Sequence, residues 1–414
     1  MTQAVSANIY DILEERGLIA QSTDAEIRKR FEKPVTAYIG FDPTADSLHI
    51  GSLVPIMTLA WLSRCGHKPI VLIGGATALV GDPSGKTESR QMLSREQIDA
   101  NASVFAEQIG RIVPFGDGPD EALMLNNADW LTPLSWIELL REVGSRVSVN
   151  RMLSMESVKG RIDSESGISY LEFSYMIMQA YDFYHLHRAH GCTVQMGGQD
   201  QWGNIVMGVE LGRKLDDAEL AGLTMPLITK ADGGKFGKTE KGAVWLDPKR
   251  TSPYEFYQFW RNTPDASVGN YLRYFTFLPI EQIRDLEKLE GQALNQAKET
   301  LAFEVTRLLH GEAEASAAQA DSRKAFSAEL DVTGDSIPHA AIEASELTNI
   351  RDLIVRSGLA KSNSEARKLV QGGGVRLGEE KITDFNRPVS REDAPEGYLL
   401  VRVGKKRMYR FDLM

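Results

Sequence analysis

Cysteine is scarce in this sequence, with only Cys65 and Cys192 among 414 residues. Two cysteines so far apart build neither a disulfide framework nor a cysteine-rich metal site, and they favour a reducing compartment, so we expect a cytoplasmic protein. Long apolar runs are scarce too. The longest, Ile70 to Gly81, is broken by glycine and is shorter than the ~20 residues that a membrane helix needs. The N-terminus mixes acidic and apolar residues, unlike a signal peptide. The sequence predicts a soluble protein without a membrane partner or a protein-borne metal site.

Positive charge is in deficit overall, since the net charge is −10. Such a balance would ordinarily argue against nucleic acid as a partner, but the charge is unevenly spread. Residues 346–414 hold 14 Lys and Arg against 10 Asp and Glu, whereas the remainder holds 33 against 47. A basic tail on an acidic body is a charge asymmetry that keeps nucleic acid among the candidates. The length predicts two or three domains.

A strand, a turn and a helix start follow one another between residues 35 and 65. Val35–Ile39 is typical of a short buried strand, and a helix is expected from about His49 to Cys65, with Asp46 and Ser47 at cap positions. A helix N-terminus suits a phosphate. His49 could donate a hydrogen bond to it, and Gly51 would allow close approach. A histidine near a cap also commonly satisfies a local bond, and His-x-Gly alone leaves both interpretations open.

The next apolar run, Pro69–Ile73, predicts a second strand parallel to the first, joined by a right-handed crossover. Ligands of such sheets bind beyond the carboxyl ends of the strands, where Gly40–Thr44 and Gly74–Asp82 fall. The segment 74–87 imitates a P-loop. However, only three residues separate Gly81 from Gly85-Lys86, so we reject that motif. The remaining interpretations are a mobile loop carrying Lys86 and Arg90 or a solvated basic turn.

Two further segments bring polar side chains to predicted strand or helix ends. Tyr175, Gln179 and Asp182 lie three to four residues apart on one face of a helix predicted over 169–187, and a carboxylate on such a face needs a partner. A strand at 193–196 runs into the glycine turn and helix start of 197–211. Residues 96–160 and 253–311 have helical patterns, and a cationic, glycine-containing loop spans 230–239. The tail predicts two short helices and a hairpin-like strand pair.

Taken together, these motifs resemble the class I aminoacyl-tRNA synthetases, and most closely the bacterial tyrosyl enzymes. His49-Ile50-Gly51-Ser52 resembles the His-x-Gly-His signature, with Ser52 in place of the second histidine, and 235–239 (Lys-Phe-Gly-Lys-Thr) resembles the mobile lysine loop. The segments 38–46, 175–182 and 197–204 match the family specifically. The resemblance covers nearly the whole chain, including a tail similar to a small RNA-binding fold named for a ribosomal protein.

The resemblance implies an α/β fold in four parts. We expect a Rossmann-like parallel-sheet catalytic domain at 1–230, and the lysine loop with a small α-helical, tRNA-contacting domain at 231–330. A linker at 331–345 and a small α+β RNA-binding domain at 346–414 would follow. Deleting 346–414 should leave adenylate formation nearly intact and impair tRNA charging.

The resemblance also implies residue roles. Tyr38 and Asp182 would hold a phenol hydroxyl between a donor and an acceptor, which penalises phenylalanine; the tyrosyl enzymes are themselves the standard example of this rejection. The predicted tyrosine-binding residues are Tyr38, Asp82, Asn127, Tyr175, Gln179, Asp182 and Gln195. The predicted ATP-binding residues are Gly40, Asp42, Thr44, His49, Gly51, Gly198, Asp200, Gln201 and Lys238. The predicted catalytic residues are His49, Lys86, Arg90, Lys235, Lys238 and Thr239.

The implied function is tyrosine–tRNA ligation in two steps, adenylate formation and transfer to the 3′-terminal adenosine of tRNA(Tyr). ATP with Mg²⁺ would be a substrate, with no tightly bound cofactor, and the partners would be L-tyrosine, tRNA(Tyr) and a second copy of the chain. Two alternatives remain open: a tryptophanyl-tRNA synthetase, and a non-catalytic RNA-binding paralogue. An indole needs only an acceptor for its N–H, so the pairing of Tyr38 with Asp182 favours the phenol.

Overall fold

The computed structural model describes residues 7–84, 93–162, 167–228, 236–239, 242–328, 338–378, 380–404 and 407–414. The chain divides into two compact units, Met1–Gln319 and Ala320–Met414. In the part of the chain described, no helix is long and apolar enough to cross a membrane.

The first unit begins with a Rossmann-like region of alternating strands and helices. Its strands are β1 (Gln21–Ser22), β2 (Thr36–Phe41), β3 (Lys68–Ile73), β4 (Leu123–Asn126), β5 (Cys192–Gly198), β6 (Ala221–Met225), β7 (Lys238–Thr239) and β8 (Gly242–Ala243). Its helices are α1 (Ile9–Glu15), α2 (Ile27–Arg30), α3 (Leu53–Arg64), α4 (Thr77–Val80), α5 (Arg95–Gly110), α6 (Ala128–Leu131), α7 (Trp136–Glu138), α8 (Val149–Leu153), α9 (Glu156–Ile162), α10 (Tyr170–His190) and α11 (Trp202–Asp216).

The main sheet has the strand order β1-β6-β5-β2-β3-β4. Strand β2 pairs parallel with β3 from Thr36↔Lys68 to Phe41↔Ile73, which confirms the predicted parallel pair, and it pairs parallel with β5 on its other side. The chain therefore proceeds outward from β2 in both directions. In such sheets the crevice beside the reversal, at the carboxyl ends of the strands, is the usual ligand site.

Helix α10 carries three of the predicted site residues, and its ends follow from local sequence. The Ser169 side chain accepts a hydrogen bond from the backbone N–H of Glu172, and the Glu172 carboxylate accepts one from the backbone N–H of Ser169. This reciprocal pair is a capping box, and it begins the helix. Gly191 ends it in the left-handed conformation with φ of 63°. The helix predicted over 169–187 is thereby confirmed and extended by one turn.

Two local predictions are wrong. The range 96–160 is not wholly helical, because Leu123–Asn126 forms β4 and pairs parallel with β3. Asp46 and Ser47 are not helix caps. Instead, the His49 side chain caps a 3₁₀ turn at Ile50–Ser52, and α3 begins only at Leu53. Asp46 forms an ion pair with Arg250, a residue 204 positions later.

The predicted helical region is confirmed. It comprises α12 (Pro253–Arg261), α13 (Val268–Phe275), α14 (Ile280–Glu287), α15 (Leu294–His310) and α16 (Glu312–Ala328). Trp260, Tyr257 and Phe256 on α12 are fully buried and belong to the large core that also contains α3 and the sheet. Phe236, from the segment before β7, stacks on Phe275 with ring centroids 5.6 Å apart. The base of the predicted lysine loop is therefore anchored in this core.

The second unit is an α+β fold with its own core. Its helices are α17 (Ile350–Arg356) and α18 (Asn363–Gln371), and its strands are β9 (His339–Ile342), β10 (Val375–Leu377), β11 (Glu380–Lys381), β12 (Tyr398–Val403) and β13 (Arg407–Leu413). The sheet order is β11-β10-β12-β13-β9, and β12 with β13 forms the predicted antiparallel pair. Strand β9 lies within 331–345, the range predicted as a linker. It forms a strand there because it pairs parallel with β13 at the sheet edge.

Candidate active site

A cavity of about 750 Å³ opens at the carboxyl ends of β2 and β5. This volume is within the range for small-molecule sites. The structure brings nearly all of the predicted and described site residues to its wall: Tyr38, Gly40, Asp42, Thr44, His49, Gly51, Asp82, Asn127, Tyr175, Gln179, Asp182, Gly198, Asp200 and Gln201.

Asp182 is the most deeply buried carboxylate of the cavity wall, with 2% of its surface exposed. Its Oδ2 accepts a hydrogen bond of 2.9 Å from the Asn127 side chain, and its Oδ1 accepts one of 2.8 Å from the indole N–H of Trp130. Burial raises the pKa of Asp182 to about 7, although these two donors act in the opposite direction. The result is an oriented acceptor whose charged form is disfavoured by burial and partly restored by its two donors.

Tyr38 supplies a hydroxyl to the same end of the cavity. The residue is 1% exposed, and no described residue provides its hydroxyl with a hydrogen-bond partner. Burial, followed by the charge of Asp182, raises the pKa of Tyr38 well above its ordinary value, so the phenol stays protonated. A buried unpaired hydroxyl is unfavourable. A ligand hydroxyl between Tyr38 and Asp182 would relieve this, because it can accept from the phenol and donate to the carboxylate.

Asn127 holds Asp182 in place. Its side-chain oxygen accepts from the backbone N–H of Ala76, and its amide donates to Thr77 as well as to Asp182, at 2.8, 3.0 and 2.9 Å. Its amide therefore orients Asp182, while its oxygen accepts only one hydrogen bond within the protein and keeps a second acceptor position. Asn127 lines the cavity, and its predicted tyrosine-binding role stays a prediction. Trp130 is supported similarly, since its ring stacks on His185 with centroids 4.3 Å apart.

A chain of carboxylates and amides lines another part of the wall. Gln201 donates to Asp82 at 2.8 Å and accepts from Asn204 at 3.0 Å. Asn204 in turn donates to Gln179 at 3.0 Å. Nearby, burial and then the charge of Asp82 raise the pKa of Asp200. These groups present acceptors close to one another, as a bound ammonium requires.

Asp42 lies directly after β2, next to the predicted ATP-binding residues and to the predicted tyrosine-binding residues of α10. Its Oδ1 accepts from the hydroxyl of Thr77 and its Oδ2 from the hydroxyl of Tyr175, each at 2.8 Å. Gly74 is required here because a Cβ at that position would lie 1.9 Å from the Asp42 Oδ1. Asp42 therefore links the predicted ATP-binding segment to the predicted tyrosine-binding helix.

His49 stands at the outer end of the wall, where it is exposed. Its Nδ1 accepts a 3.0 Å hydrogen bond from the backbone N–H of Gly51, so the proton of the neutral ring is on Nε2. Gly51 is needed by the ring itself, because a Cβ there would lie 2.7 Å from His49 Cε1. The local bond and a role toward a ligand are thus compatible, since they use different ring nitrogens.

Gln195 is 1% exposed and is not among the described residues that line the cavity. It lies in β5 directly opposite Tyr38, and its Oε1, like the Tyr38 hydroxyl, is buried without a hydrogen-bond partner among the described residues. Its contact with the substrate stays a prediction.

Comparison with known proteins agrees with this geometry. Residues 29–327 match the family model of class I tRNA synthetases (W and Y). The chain belongs to the class I tRNA synthetases. Residues 329–411 match a C-terminal domain of the tyrosine–tRNA ligases, so the recognition of the tyrosyl branch from the motifs is confirmed.

Curated relatives of this class I tRNA synthetase include the tyrosine–tRNA ligase of Clostridium botulinum, 48% identical over 98% of this chain and 99% of that protein. The tyrosine–tRNA ligase of Caldanaerobacter subterraneus is 49% identical over 97% and 98%. A C-terminally truncated mitochondrial tyrosyl-tRNA synthetase of Aspergillus nidulans has a similar structure, with a TM-score of 0.69, 34% identity, and coverage of 77% of this chain and 94% of that one.

Not every predicted residue of the synthetase can be placed. Lys86, Arg90 and Lys235 lie outside the described residues, and for Lys238 and Thr239 only the backbone of β7 is described. Conversely, Thr77, Trp130 and Asn204 were missed by sequence reasoning. Each contacts a predicted residue across a long sequence distance, so spacing along the chain gave no signal for them.

Proposed function

We propose that this chain is a tyrosine–tRNA ligase that activates L-tyrosine with ATP and transfers the tyrosyl group to the 3′-terminal adenosine of tRNA(Tyr). One observation carries the choice of amino acid. The buried hydroxyl of Tyr38 and the buried carboxylate of Asp182 lie in one cavity with the His49 signature. A phenol hydroxyl satisfies both groups, whereas an indole N–H would leave the Tyr38 hydroxyl unpaired. The tryptophanyl alternative is therefore disfavoured.

The first step needs positioning and charge stabilisation more than acid–base chemistry. The tyrosine carboxylate is already an anion, and it attacks the α-phosphate in line while pyrophosphate leaves. The described wall carries four carboxylates, those of Asp42, Asp82, Asp182 and Asp200. They suit an ammonium and repel a polyphosphate, so cations have to be brought to the leaving group. We assign that role to Lys86, Arg90, Lys235 and Lys238, and we assign to the Thr239 hydroxyl a neutral hydrogen bond to the same phosphates.

In the second step the terminal ribose hydroxyl of the tRNA attacks the activated carbonyl, and AMP leaves. Mg²⁺ would enter with ATP, held mainly by the phosphates, as this hard cation prefers. We place the RNA-binding role in the second unit, whose residues 346–414 carry an excess of four basic side chains. We propose a cytoplasmic location, which the scarcity of cysteine supports.

Pyrophosphate exchange with tyrosine, phenylalanine and tryptophan, measured in parallel on purified protein, tests this proposal. Exchange dependent on tyrosine is expected. Exchange driven by tryptophan would support the tryptophanyl alternative, and no exchange with any amino acid would support a non-catalytic RNA-binding role.

Replacing Tyr38 by phenylalanine is expected to separate recognition from stability. The hydroxyl has no described partner in the ligand-free protein, so its removal should raise the free energy of unfolding by about 1 kcal/mol. Loss of one hydrogen bond to substrate should lower kcat/KM for tyrosine about tenfold and leave that for phenylalanine unchanged. Urea unfolding and pyrophosphate exchange measure the two effects. An unchanged ratio of tyrosine to phenylalanine activity would contradict the assigned role.

A homodimer is the proposed assembly, on the evidence of an exposed apolar surface. Among the described residues, large apolar side chains at least two-fifths exposed concentrate in one region of the first unit: Trp136, Ile137, Leu140, Val149, Leu153, Ile162, Tyr170 and Leu171. Trp136 and Tyr170 are in edge contact, with ring centroids 6.2 Å apart, so α7 and the start of α10 contribute to one patch. Patches of this kind mark protein interfaces, and we assign this one to a second copy of the chain.

The double variant Ile137→Glu, Val149→Glu is expected to sediment as a monomer, because it places two charges in the proposed apolar interface. The unmodified chain should sediment with the mass of two chains at micromolar concentration. Tyr254→Glu, an equivalent change at an exposed aromatic outside the patch, is the matched control and should remain dimeric. A double variant that sediments like the unmodified chain would refute this interface.

A further inference from the structure

Strands β7 and β8 pair antiparallel at the end of the lysine loop, and we call this pair the lysine hairpin. The segment that follows it, Val244–Leu246, is hydrogen-bonded through its backbone to the His49 signature. Ile50 donates its backbone N–H to the carbonyl of Val244 at 3.0 Å, and Leu246 donates to the carbonyl of Leu48 at 2.8 Å. His49 and Trp245 thereby form an antiparallel bridge. Trp245 is thus held opposite His49 by main-chain geometry, which does not depend on its own side chain.

The Trp245 ring contacts two side chains. The guanidinium carbon of Arg250 is over the ring, 3.5 Å from its centroid. The His49 ring is in edge contact with it, with centroids 6.3 Å apart and planes inclined at 63°. Arg250 also forms an ion pair with Asp46, in the loop that leads to His49. A cation held over an indole by a second bond fixes the plane of that indole.

We propose that Trp245, held by Arg250, is a positioning residue for His49 in the nucleotide half of the reaction. The Gly51 N–H bonds one nitrogen of the imidazole, and the edge contact with Trp245 constrains the ring from a second direction. Together these contacts bias the direction in which the Nε2–H donates. This inference rests on the proposed function, since it assigns the phosphates of ATP as the acceptor of that proton.

The arrangement also connects the His49 signature to the lysine loop. Trp245 comes two residues after β8, and Val244 donates its backbone N–H to the carbonyl of Gly237 at 2.9 Å. A Cβ at Gly237 would lie 2.7 Å from a side-chain carbon of Ile50, so the hairpin approaches the signature closely. One bridge therefore sets the position of His49 relative to the start and the end of the lysine hairpin.

A double-mutant cycle between Trp245 and His49 tests the inference. Trp245→Ala should lower kcat/KM for ATP in tyrosine-dependent pyrophosphate exchange about tenfold, a size typical of a misoriented group, with KM for tyrosine within about twofold. His49→Asn keeps an acceptor for the Gly51 N–H but removes Nε2. In that background Trp245→Ala should have no further effect, because coupled residues are not additive. Trp245→Phe should restore most of the loss.

Arg250→Met is a second, milder test. It removes the cation from the Trp245 ring, so the indole is held less firmly, and it is expected to lower kcat/KM for ATP about threefold. Lys249→Met is its matched control, with the same loss of charge at the neighbouring exposed position, and should be neutral. Equal effects of Trp245→Ala with and without His49, or a KM for tyrosine raised as much as that for ATP, would overturn the inference. An unmodified chain without tyrosine-dependent exchange would overturn the proposed function instead.

Discussion

Replacing Asp182 by asparagine is expected to lower kcat/KM for tyrosine in pyrophosphate exchange by about 10³-fold. The charge-assisted bond to the phenol is lost, which is worth roughly 1.5–3 kcal/mol. In addition, Asn127 and Trp130 donate to different oxygens of Asp182, and an amide would turn its NH₂ toward one of these donors. A mispaired buried donor costs roughly 1–3 kcal/mol more. The control is Asp129→Asn, an exposed carboxylate next to Trp130, which should be neutral. A loss below tenfold would contradict the assigned role.

The unmodified chain has an expected pH dependence that this variant should lack. Asp182 has a pKa of about 7 in the folded protein against an ordinary value of 3.8. Below about pH 7 the carboxyl is protonated and loses its charge as an acceptor. The kcat/KM for tyrosine of the unmodified chain should therefore rise with pH through about 7 and then level off. Asp182→Asn should lack this rise.

The raised pKa of Asp182 also makes the free energy of unfolding depend on pH, and it sets the sign of that dependence. Between pH 3.8 and about 7 the folded chain keeps a proton on Asp182 that the unfolded chain has released. Raising the pH through this window therefore lowers stability, by about 1.4 kcal/mol per unit where the difference is complete. Relative to Asp182→Asn, the unmodified chain should lose about 2 kcal/mol of unfolding free energy between about pH 5.5 and 8. Denaturant unfolding at several pH values measures this, and a parallel pH dependence of both proteins would contradict it.

Sequence reasoning was successful where one segment determines its own structure. The apolar runs of β2 and β3 and the capping box of α10 need no distant partner, and they place Tyr38 and Asp182 at one edge of the sheet. Strand β4 was missed because its four residues are only partly buried and it is recognised by its pairing with β3. Its pattern alone does not distinguish it from the helices around it.

In the candidate active site, too, prediction from sequence fails where a residue's partner is distant along the chain. Aspartate is a common helix-capping residue, so Asp46 was predicted as a cap. Its partner is instead Arg250, and no local sequence pattern relates the two residues. Asn127 was predicted from resemblance as a ligand contact. It lines the cavity, and it also orients Asp182 through bonds to Ala76, Thr77 and Asp182 that no local pattern predicts. Residue type indicates which groups belong near a site. Tertiary hydrogen bonding decides which of them face the ligand and which hold the others in place.

The second large effect is expected from removing the C-terminal unit. The sheet strand β9 begins at His339, so a cut at 346 would leave a strand without its sheet, and a chain ending at Ala328, the last residue of α16, is the better design. Among the described residues, those that line the cavity fall between Tyr38 and Phe236, and the second unit has a core of its own. Tyrosine-dependent exchange should therefore stay within about twofold of the full chain, while kcat/KM for tRNA charging falls about 100-fold or more through lost phosphate contacts.

A full-length variant separates loss of charge from loss of the fold. Lys361→Gln, Arg367→Gln, Lys368→Gln removes three exposed cations on and just before α18 and keeps the unit's core. It should charge tRNA less well, with exchange unchanged. Its affinity for tRNA should also depend less steeply on salt, since each lost phosphate contact removes roughly 0.7–0.9 from the slope of log K against log salt. Equal loss of exchange and charging on truncation would refute the division of labour between the two units, because adenylate formation would then require residues of the second unit.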